Sequence, residues 1–431
     1  MYAAYRSIGH LALALCIVFA LPKNAKAAYA ALTLRHEHFL FTIDPDYHPE
    51  WRKTGETWTY RGEEIRPPAE LRVDGDIVPA LPEGMEKRQS VIWNTEAIRM
   101  TIVHDVSRLF DRPAGAVTIN RNGSGAITFD GVGLTGRRVD PDAAADAVVQ
   151  ALDRGITDIF LPVAILQPSV TVTDPELTAM GITEVVTVGE SDFSNSPVNR
   201  RHNIATGLSK FNGHLIPKDT SFSFGETLGP VNGTTGYRKE LVIKGDRTEP
   251  DYGGGLCQVS TTAYRGAWEY GFPIEARINH SYAVGHYGPQ GTDATVYPPH
   301  PDMKFKNDSP GALLMQTYTQ DNHAYFIYYG TKDGRTAQVI GPYIWGRTMP
   351  PPDKIEYTTA LPPRQKKKLG ERIPGMQTAW FRILVDAQGQ EKVVPVYSIY
   401  QSRPLFYQVG VEALPTPPAV DINTPEPPYV F

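Results

Sequence analysis

The sequence predicts a multi-domain protein of the α+β class. Its 431 residues suffice for two or three domains, since domains typically hold about 100–200 residues each. The 37 prolines and 38 glycines favour short strands and turns over a helical bundle. Helical patterns precede a run of antiparallel strand patterns, which is the arrangement expected of α+β domains.

The first residues are typical of an export signal. Arg6 precedes an apolar run at 11–21, and an Ala-x-Ala cleavage pattern follows at 25–27. The run is short for a membrane span, which needs about 20 apolar residues. We expect residues 1–27 to be a cleaved signal peptide, with an uncleaved anchor as the alternative. The mature protein is then expected outside a bacterial cytoplasm, secreted or associated with the cell wall, without a stable membrane span.

Cysteine count and charge narrow the function classes. Cys16 belongs to the predicted signal, so Cys257 is left as a single thiol that cannot form an internal disulfide. It is an inert core residue, an intermolecular partner or a reactive group. The formal net charge of −5, with both signs mixed, gives no support for nucleic-acid binding.

A small α+β module is predicted at residues 91–175, whereas residues 28–90 give no clear pattern. A hairpin is expected at 117–129, followed by a helix that Asp140 caps and Gly155 ends. A strand is expected at 159–165, which completes the unit.

The stretch from Gly136 to Asp140, ahead of the Ala-rich helix, resembles the peptidoglycan-binding module found before cell-wall enzymes. A structural spacer is the alternative interpretation of this module.

A second domain is predicted from residue 189 to residue 345. Ser196 is expected to cap a helix that continues to Gly213. The apolar spacing at 258–270 predicts a central helix, which Gly271 ends. The predicted strands of this domain lie at 240–243, 303–305, 313–318 and 324–329.

Eight short motifs follow one another between residues 189 and 330. They are Arg200 with Asn203-Ile204, Asn212-Gly213 with Ile216-Pro217, Phe222-Ser223-Phe224, Gly229-Pro230, Gly236-Tyr237, Gly253 to Ser260, Asn279-His280-Ser281 and Asp293-Ala294-Thr295-Val296. In this order they resemble the signatures of the VanW domain. The resemblance implies a link to peptidoglycan and vancomycin resistance. It also implies L,D-transpeptidase activity through the cysteine of the Gly-Gly-Gly-x-Cys motif.

The composition of the sequence changes again after residue 345. Proline pairs and a basic run ending at Lys368 predict an extended linker at 346–370. Residues 371–412 alternate in short strands around a turn at 386–389, and they resemble the small β module called G-five that accompanies VanW domains. Residues 413–431 form a Pro-rich tail, expected to be extended or disordered.

The chemistry of the glycine run points to Cys257 without the resemblance. The thiol lies where a loop becomes a helix, and the free N–H groups and the helix dipole there favour a thiolate. The dipole contributes about 1 kcal/mol, less than one pKa unit, so a second base is needed.

Gly253, Gly254 and Gly255 allow close approach of a substrate backbone and can aim N–H groups at one point. The N–H groups of Cys257 and Gln258 are the expected oxyanion donors. A structural turn, with the cysteine in packing, is the alternative.

His280 is the preferred partner base, because a helix and a return of the chain separate it from Cys257. Asp293 is expected to orient the imidazole, which gives a Cys-His-Asp arrangement; its alternative is a turn or strand-cap role. His286 is the fallback base. The Ser/Thr-His-Gly-Cys order of L,D-transpeptidases is absent, because here the cysteine precedes the histidine.

Other residues are expected to contact the substrate or the backbone near the site. They are Tyr237, Ser260, Asn279 and Ser281. His280, His286 and His300 with one cysteine do not form a recognised zinc spacing. We therefore expect no metal and no cofactor.

Together with what the VanW resemblance implies, these observations predict a secreted cell-wall enzyme that transfers acyl groups between peptidoglycan stem peptides through a Cys257 thioester. With water as the acceptor, the same site would act as a peptidase or amidase. The alternative from another class is a non-catalytic peptidoglycan-binding protein, an accessory of vancomycin resistance. The stem residues that are joined and the oligomeric state stay open.

Overall fold

The computed structural model describes residues 29–65, 83–244 and 247–414 of the chain. The predicted signal peptide, Cys16 and all but the first two residues of the predicted tail lie outside these ranges. Within them, no helix combines the length and apolar character that a membrane crossing requires.

Helices in the described residues range from single turns to four turns. They are α1 (Thr95–Thr101), α2 (Arg108–Phe110), α3 (Pro141–Arg154), α4 (Pro175–Ala179), α5 (Val198–Ser209), α6 (Phe224–Leu228) and α7 (Leu256–Tyr270). A π-helical segment joins α1 to α2 at Ile102–Ser107.

Strands in the N-terminal part are β1 (Leu32–His36), β2 (Phe39–Ile43), β3 (Arg52–Tyr60), β4 (Glu63–Ile65), β5 (Met85–Trp93), β6 (Ala116–Arg121), β7 (Ile127–Val132), β8 (Gly136–Val139), β9 (Asp158–Phe160), β10 (Val163–Leu166) and β11 (Ser169–Val172). The middle part contains β12 (Glu184–Asp192), β13 (Leu215–Ile216), β14 (Ser221–Ser223), β15 (Lys239–Lys244), β16 (Arg247–Tyr252), β17 (Ile274–Ala276), β18 (Lys304–Lys306), β19 (Leu313–Gln320) and β20 (His323–Gly330). The C-terminal part contains β21 (Thr336–Thr348), β22 (Lys354–Thr358), β23 (Lys366–Lys368), β24 (Gly375–Val385), β25 (Glu391–Tyr400) and β26 (Phe406–Gly410).

The N-terminal core combines residues on both sides of position 91. A sheet of order β2-β1-β9 packs with α1, the π-helical segment and α3 around a shared apolar cluster. Residues 28–90, which gave no pattern, therefore supply two strands of this core. α3 begins and ends as predicted, because the Asp140 side chain accepts the Ala143 N–H at 3.0 Å and Gly155 has a φ of +66°.

The central sheet has the order β12-β20-β19-β13, and all its pairs are antiparallel. Alternate residues of β20 face opposite sides, as strand geometry requires. Phe326 and Tyr328 join the core that contains α7, whereas Ile327 and Tyr329 pack against the β11-β6-β7 sheet. Residues 91–175 thus contribute to two cores.

The C-terminal part forms two three-stranded sheets, β21-β24-β25 and β22-β26-β23. The stretch 346–370, predicted as a linker, contains β22 and β23, which pair with β26 in parallel and antiparallel fashion. The basic run is therefore an exposed edge strand, a position where lysines discourage pairing with other chains. With these helices and mixed sheets the protein is a multi-domain α+β protein, as predicted.

Candidate active site

A cavity of about 1160 Å³ lies beside the first turn of α7. The glycine run, the β15–β16 hairpin and the loop from residue 278 to residue 301 line it. Gly370, Glu371, Ile373 and Arg403 of the C-terminal part complete the lining. The cavity volume exceeds the usual range for small-molecule sites, so a peptide segment fits the dimensions.

Backbone geometry at the glycine run brings Cys257 to this cavity. Gly255 caps α7 with a φ of +118°, a conformation that L side chains rarely adopt. A Cβ on Gly254 would lie 2.7 Å from the Leu241 carbonyl oxygen, so this position also excludes a side chain. Cys257 follows as the second residue of α7, half-buried, with its Sγ donating to the Val296 carbonyl oxygen at 3.6 Å.

His280 and Asp293 form a buried pair on the loop that faces Cys257. The Asp293 Oδ2 accepts the His280 Nδ1–H at 2.5 Å and the His280 backbone N–H at 2.8 Å. This pairing assigns a proton to Nδ1, which leaves Nε2 as the other acid-base atom of the ring. Nε2 is buried and makes no hydrogen bond of standard geometry to a described residue.

The three side chains shift each other's pKa values. Burial opposes the charged imidazolium, but hydrogen bonds to Asp293 and interaction with Cys257 outweigh it and raise the pKa of His280 to about 9. Burial also opposes the thiolate, yet the interactions with His280 bring the pKa of Cys257 below its ordinary value. Despite its burial, Asp293 has a lowered pKa because of His280 and Arg277. Both shifts favour the thiolate and imidazolium forms of the pair over the neutral thiol and imidazole.

Two further side chains hold Asp293 in place. The Tyr400 hydroxyl donates to Asp293 Oδ1 at 2.5 Å, and Arg277 Nη2 donates to the same oxygen at 3.2 Å. Sequence reasoning missed both. No local pattern could identify Tyr400, because it comes from β25 in the C-terminal part, 107 positions away from Asp293.

The outer wall of the site is an aromatic ring against the imidazole. Tyr287 stacks on His280 with ring centroids 4.4 Å apart and an interplanar angle of 16°. Its hydroxyl accepts a hydrogen bond from Arg200 Nη2 at 3.3 Å. The stacked ring shields one face of the imidazole from solvent.

The predicted oxyanion donors differ in their availability. The Gln258 N–H donates to the Gly255 carbonyl oxygen at 3.0 Å, whereas the Cys257 N–H has no acceptor among the described residues. The Gln258 side chain is fully buried, donates to Ser191 Oγ at 2.8 Å and accepts from Arg200 at 3.1 Å. Gln258 therefore organises the base of the site, and the Cys257 N–H is the better oxyanion donor.

The remaining predicted site residues divide into two groups. Gly253, Asn279 and Ser281 line the cavity, and the Asn279 amide joins the loop to β25 by donating to the Ile399 carbonyl at 2.8 Å. Ser260 and Tyr237 lie outside the lining. The Ser260 hydroxyl donates to the Ala294 carbonyl at 2.5 Å, so it fixes the Asp293 loop to α7. The Tyr237 side chain is buried in the core.

His286, the alternative base, lies in the same cavity as Cys257. Burial and the Arg200 charge lower its pKa. Among the described residues, no carboxylate is hydrogen-bonded to it as Asp293 is to His280. In the described ranges, no group of three His, Cys, Asp or Glu side chains is placed to hold a metal ion.

Comparison with known proteins covers the part of the chain that holds this site. Residues 199–329 match the family model described as VanW like protein. The "Uncharacterized protein YoaR" of Bacillus subtilis (strain 168) is 31% identical over 164 residues, which is 38% of this chain and 52% of that protein. The alignment thus spans about half the length of this relative. The matched residues identify a VanW domain at residues 199–329, within the stretch where the order of the motifs predicts it.

Proposed function

We propose that this protein transfers acyl groups on peptidoglycan stem peptides through a thioester at Cys257, in the manner of an L,D-transpeptidase. The VanW family suggests a cell-wall protein associated with vancomycin resistance. One observation supports acyl transfer through Cys257: its thiol, the His280 imidazole and the Asp293 carboxylate lie together beside a cavity that is large enough for a peptide. We also propose that the protein acts outside the cytoplasm, on the sequence of its first 27 residues.

The first half-reaction forms the acyl-enzyme. The Cys257 thiolate adds to the carbonyl carbon of a stem-peptide bond, and the Cys257 N–H, which has no acceptor among the described residues, donates to the resulting oxyanion. As the carbon–nitrogen bond breaks, Nε2 of the His280 imidazolium gives its proton to the departing amine. The products are a thioester and a neutral imidazole.

The second half-reaction transfers the acyl group. An amine of a second stem peptide attacks the thioester carbonyl, and His280 Nε2 accepts the proton that this amine loses. The carbon–sulfur bond breaks, which restores the thiolate and the imidazolium and leaves a new peptide cross-link. Water in place of the amine would make the reaction a hydrolysis.

Asp293 acts through the imidazole. Its carboxylate accepts hydrogen bonds from the Nδ1–H of the ring and from the His280 backbone N–H, and it stabilises the positive charge that His280 carries before the first proton transfer and regains in the second. Tyr400 and Arg277 hold the carboxylate in this orientation.

The test is incubation of the purified protein with disaccharide-tetrapeptide, followed by mass spectrometry. We expect cross-linked dimers and a mass adduct on Cys257, whereas shortened stems alone would indicate a peptidase. Cys257→Ala should abolish both products. His286→Asn is the matched control, since it alters a histidine of the same cavity that lacks the carboxylate partner. Wild-type product yield from Cys257→Ala would refute the nucleophile.

A further inference from the structure

Arg200 is a buried cation of the cavity without a carboxylate partner among the described residues. Its side chain lines the cavity that holds Cys257, and the residue is only 8% exposed. Its guanidinium donates to three neutral acceptors, at 3.3 Å to Ser196 Oγ, 3.1 Å to Gln258 Oε1 and 3.3 Å to Tyr287 Oη. A guanidinium has five N–H donors, so donor capacity remains for a ligand.

Four other arginines with buried side chains in the described residues have partners that offset their charge. Arg137 pairs with Glu190 at 2.8 Å and Arg277 with Asp293 at 3.2 Å. Arg382 has no ion pair, but it donates to two carbonyl oxygens at the C-terminus of α7, where the helix dipole favours a cation. Arg265 similarly donates to backbone carbonyls, and neither Arg265 nor Arg382 lines the cavity.

Arg200 lies close to the reacting groups. The hypothetical Cβ of Gly255, two residues before Cys257, would lie 3.2 Å from Arg200 Cγ. The guanidinium carbon is 6.0 Å from the Tyr287 ring centroid, and that ring stacks on His280. A group bound by Arg200 would therefore lie beside the catalytic pair, within the length of one or two peptide residues.

Burial of an unpaired charge is costly unless a counter-charge arrives. The planar fork of arginine matches a carboxylate, and such charge-assisted hydrogen bonds are about twice as strong as neutral ones. Arg200 is buried, has only neutral acceptors among the described residues and lines the cavity. These are the properties expected of a residue that binds a carboxylate.

We infer that Arg200 binds a free carboxylate of the peptide substrate next to the carbonyl that Cys257 attacks. This inference rests on the proposed function, because it names the substrate class of the same site. The carboxylate is either the C-terminal one of the departing residue or that of an acidic side chain beside the scissile bond. Both present the same chemistry to the guanidinium.

Two alkylating reagents of similar size test this inference without any substrate. Iodoacetate carries a carboxylate, and iodoacetamide carries a neutral amide in its place. We expect Arg200→Gln to slow alkylation of Cys257 by iodoacetate about tenfold, while the iodoacetamide rate stays within about twofold. Arg200→Lys should lie between, because it keeps the charge and loses the fork.

Arg201→Gln is the matched control on the same helix. Arg201 is exposed, donates to the Ser196 carbonyl at 2.7 Å and does not line the cavity. We expect this variant to preserve the wild-type ratio of the two rates. Equal ratios for the wild type, Arg200→Gln and Arg201→Gln would overturn the inference.

A protection assay on the wild-type protein covers the case in which Arg200→Gln fails to fold. A stem tetrapeptide with free carboxylates should protect Cys257 from iodoacetamide at least about tenfold better than the same peptide with every carboxylate amidated. Amidating only the C-terminus or only the acidic side chain identifies which carboxylate binds. Equal protection by the free and fully amidated peptides contradicts the inference.

The two proposals can fail separately. Cross-linking by the wild type, without Arg200-dependent reagent selectivity and without preference for free carboxylates, would leave the enzyme function and remove the carboxylate site. Selectivity without cross-linking or hydrolysis would keep the carboxylate site in a protein that binds stem peptides without acting on them.

Discussion

The proposed reactivity of Cys257 depends on Asp293, a carboxylate that bonds His280. Asp293 holds the His280 imidazolium, and the imidazolium in turn favours the thiolate. The helix dipole at the start of α7 contributes less than this charge, since it is worth about one pKa unit at most. A single substitution, Asp293→Asn, therefore tests whether Asp293 acts on Cys257 through His280.

Asp293→Asn should lower the pKa of His280 and raise the pKa of Cys257 toward its ordinary value of about 8.5. Cross-linking should fall on the order of 10²–10⁴-fold, because the imidazole loses its orientation and its charge partner. The measurement is the pH profile of Cys257 alkylation by iodoacetamide beside the product assay. If the pH midpoint of alkylation does not change, Asp293 has no effect on Cys257 through His280. Asp333→Asn, which lies outside the site, is the control.

The pH dependence of turnover follows from the same pair. The thiolate is present above the lowered pKa of Cys257, and the imidazolium is lost as the pH rises through about 9. Protonation of the leaving amine needs the imidazolium, so kcat/KM should fall on the alkaline side at about pH 9. Iodoacetamide alkylation needs only the thiolate and should not fall there. Parallel decline of both rates would argue against His280 as the acid.

At the level of elements, β25 carries a residue of the site. The Tyr400 hydroxyl donates to Asp293 and accepts the Gly291 N–H at 2.7 Å. Tyr400→Phe keeps the buried ring and removes both hydrogen bonds. We expect a loss of about 1–3 kcal/mol in unfolding free energy and a roughly tenfold drop in kcat with a smaller change in KM.

Urea unfolding and steady-state kinetics check this expectation. Tyr397→Phe is the matched control, because Tyr397 lies on the same strand with 62% of its surface exposed. Wild-type kcat in Tyr400→Phe would mean that Arg277 and the loop backbone suffice to orient Asp293.

The sequence predicts helices and strands that have local patterns, such as an apolar repeat between two glycines. α7 was expected at 258–270 and occurs at Leu256–Tyr270, because glycines with positive φ bound an apolar repeat. Ser196 was expected to cap α5, yet its hydroxyl accepts from Arg200 and makes no cap. A cap motif alone cannot show that a nearby cation takes the same hydroxyl.

Features that depend on contacts between distant parts of the chain cannot be predicted from local sequence patterns. The residues 366–368 are three lysines, and only their backbone pairing with β26 makes them a strand. Likewise, the motifs predict Cys257, His280 and Asp293 together. Tyr400, in contrast, reaches Asp293 from β25, and Arg277 bonds both Asp293 and Ser398 of that strand.

At the scale of the whole molecule, the β21-β24-β25 sheet (the C-terminal sheet) shares an apolar core with α7. Trp380 of β24 packs edge-on against Trp268 of α7, with ring centroids 5.7 Å apart. Its indole N–H donates at 2.8 Å to the carbonyl of Gln290, which lies in the same loop as Asp293. The site is therefore assembled where the two parts of the chain meet.

Trp380→Ala tests whether the VanW domain and the C-terminal sheet unfold as one unit. Removing a fully buried tryptophan costs about 3–5 kcal/mol through lost burial and the cavity left behind. We expect a single urea transition, shifted to lower denaturant by that amount, with loss of the rapid alkylation of Cys257 at the same urea concentration. Trp345→Ala, in the same sheet but 42% exposed, should shift the midpoint far less. Two separate transitions, with Cys257 reactivity following only the second, would instead make the C-terminal sheet an independent module whose Tyr400 is dispensable for the site.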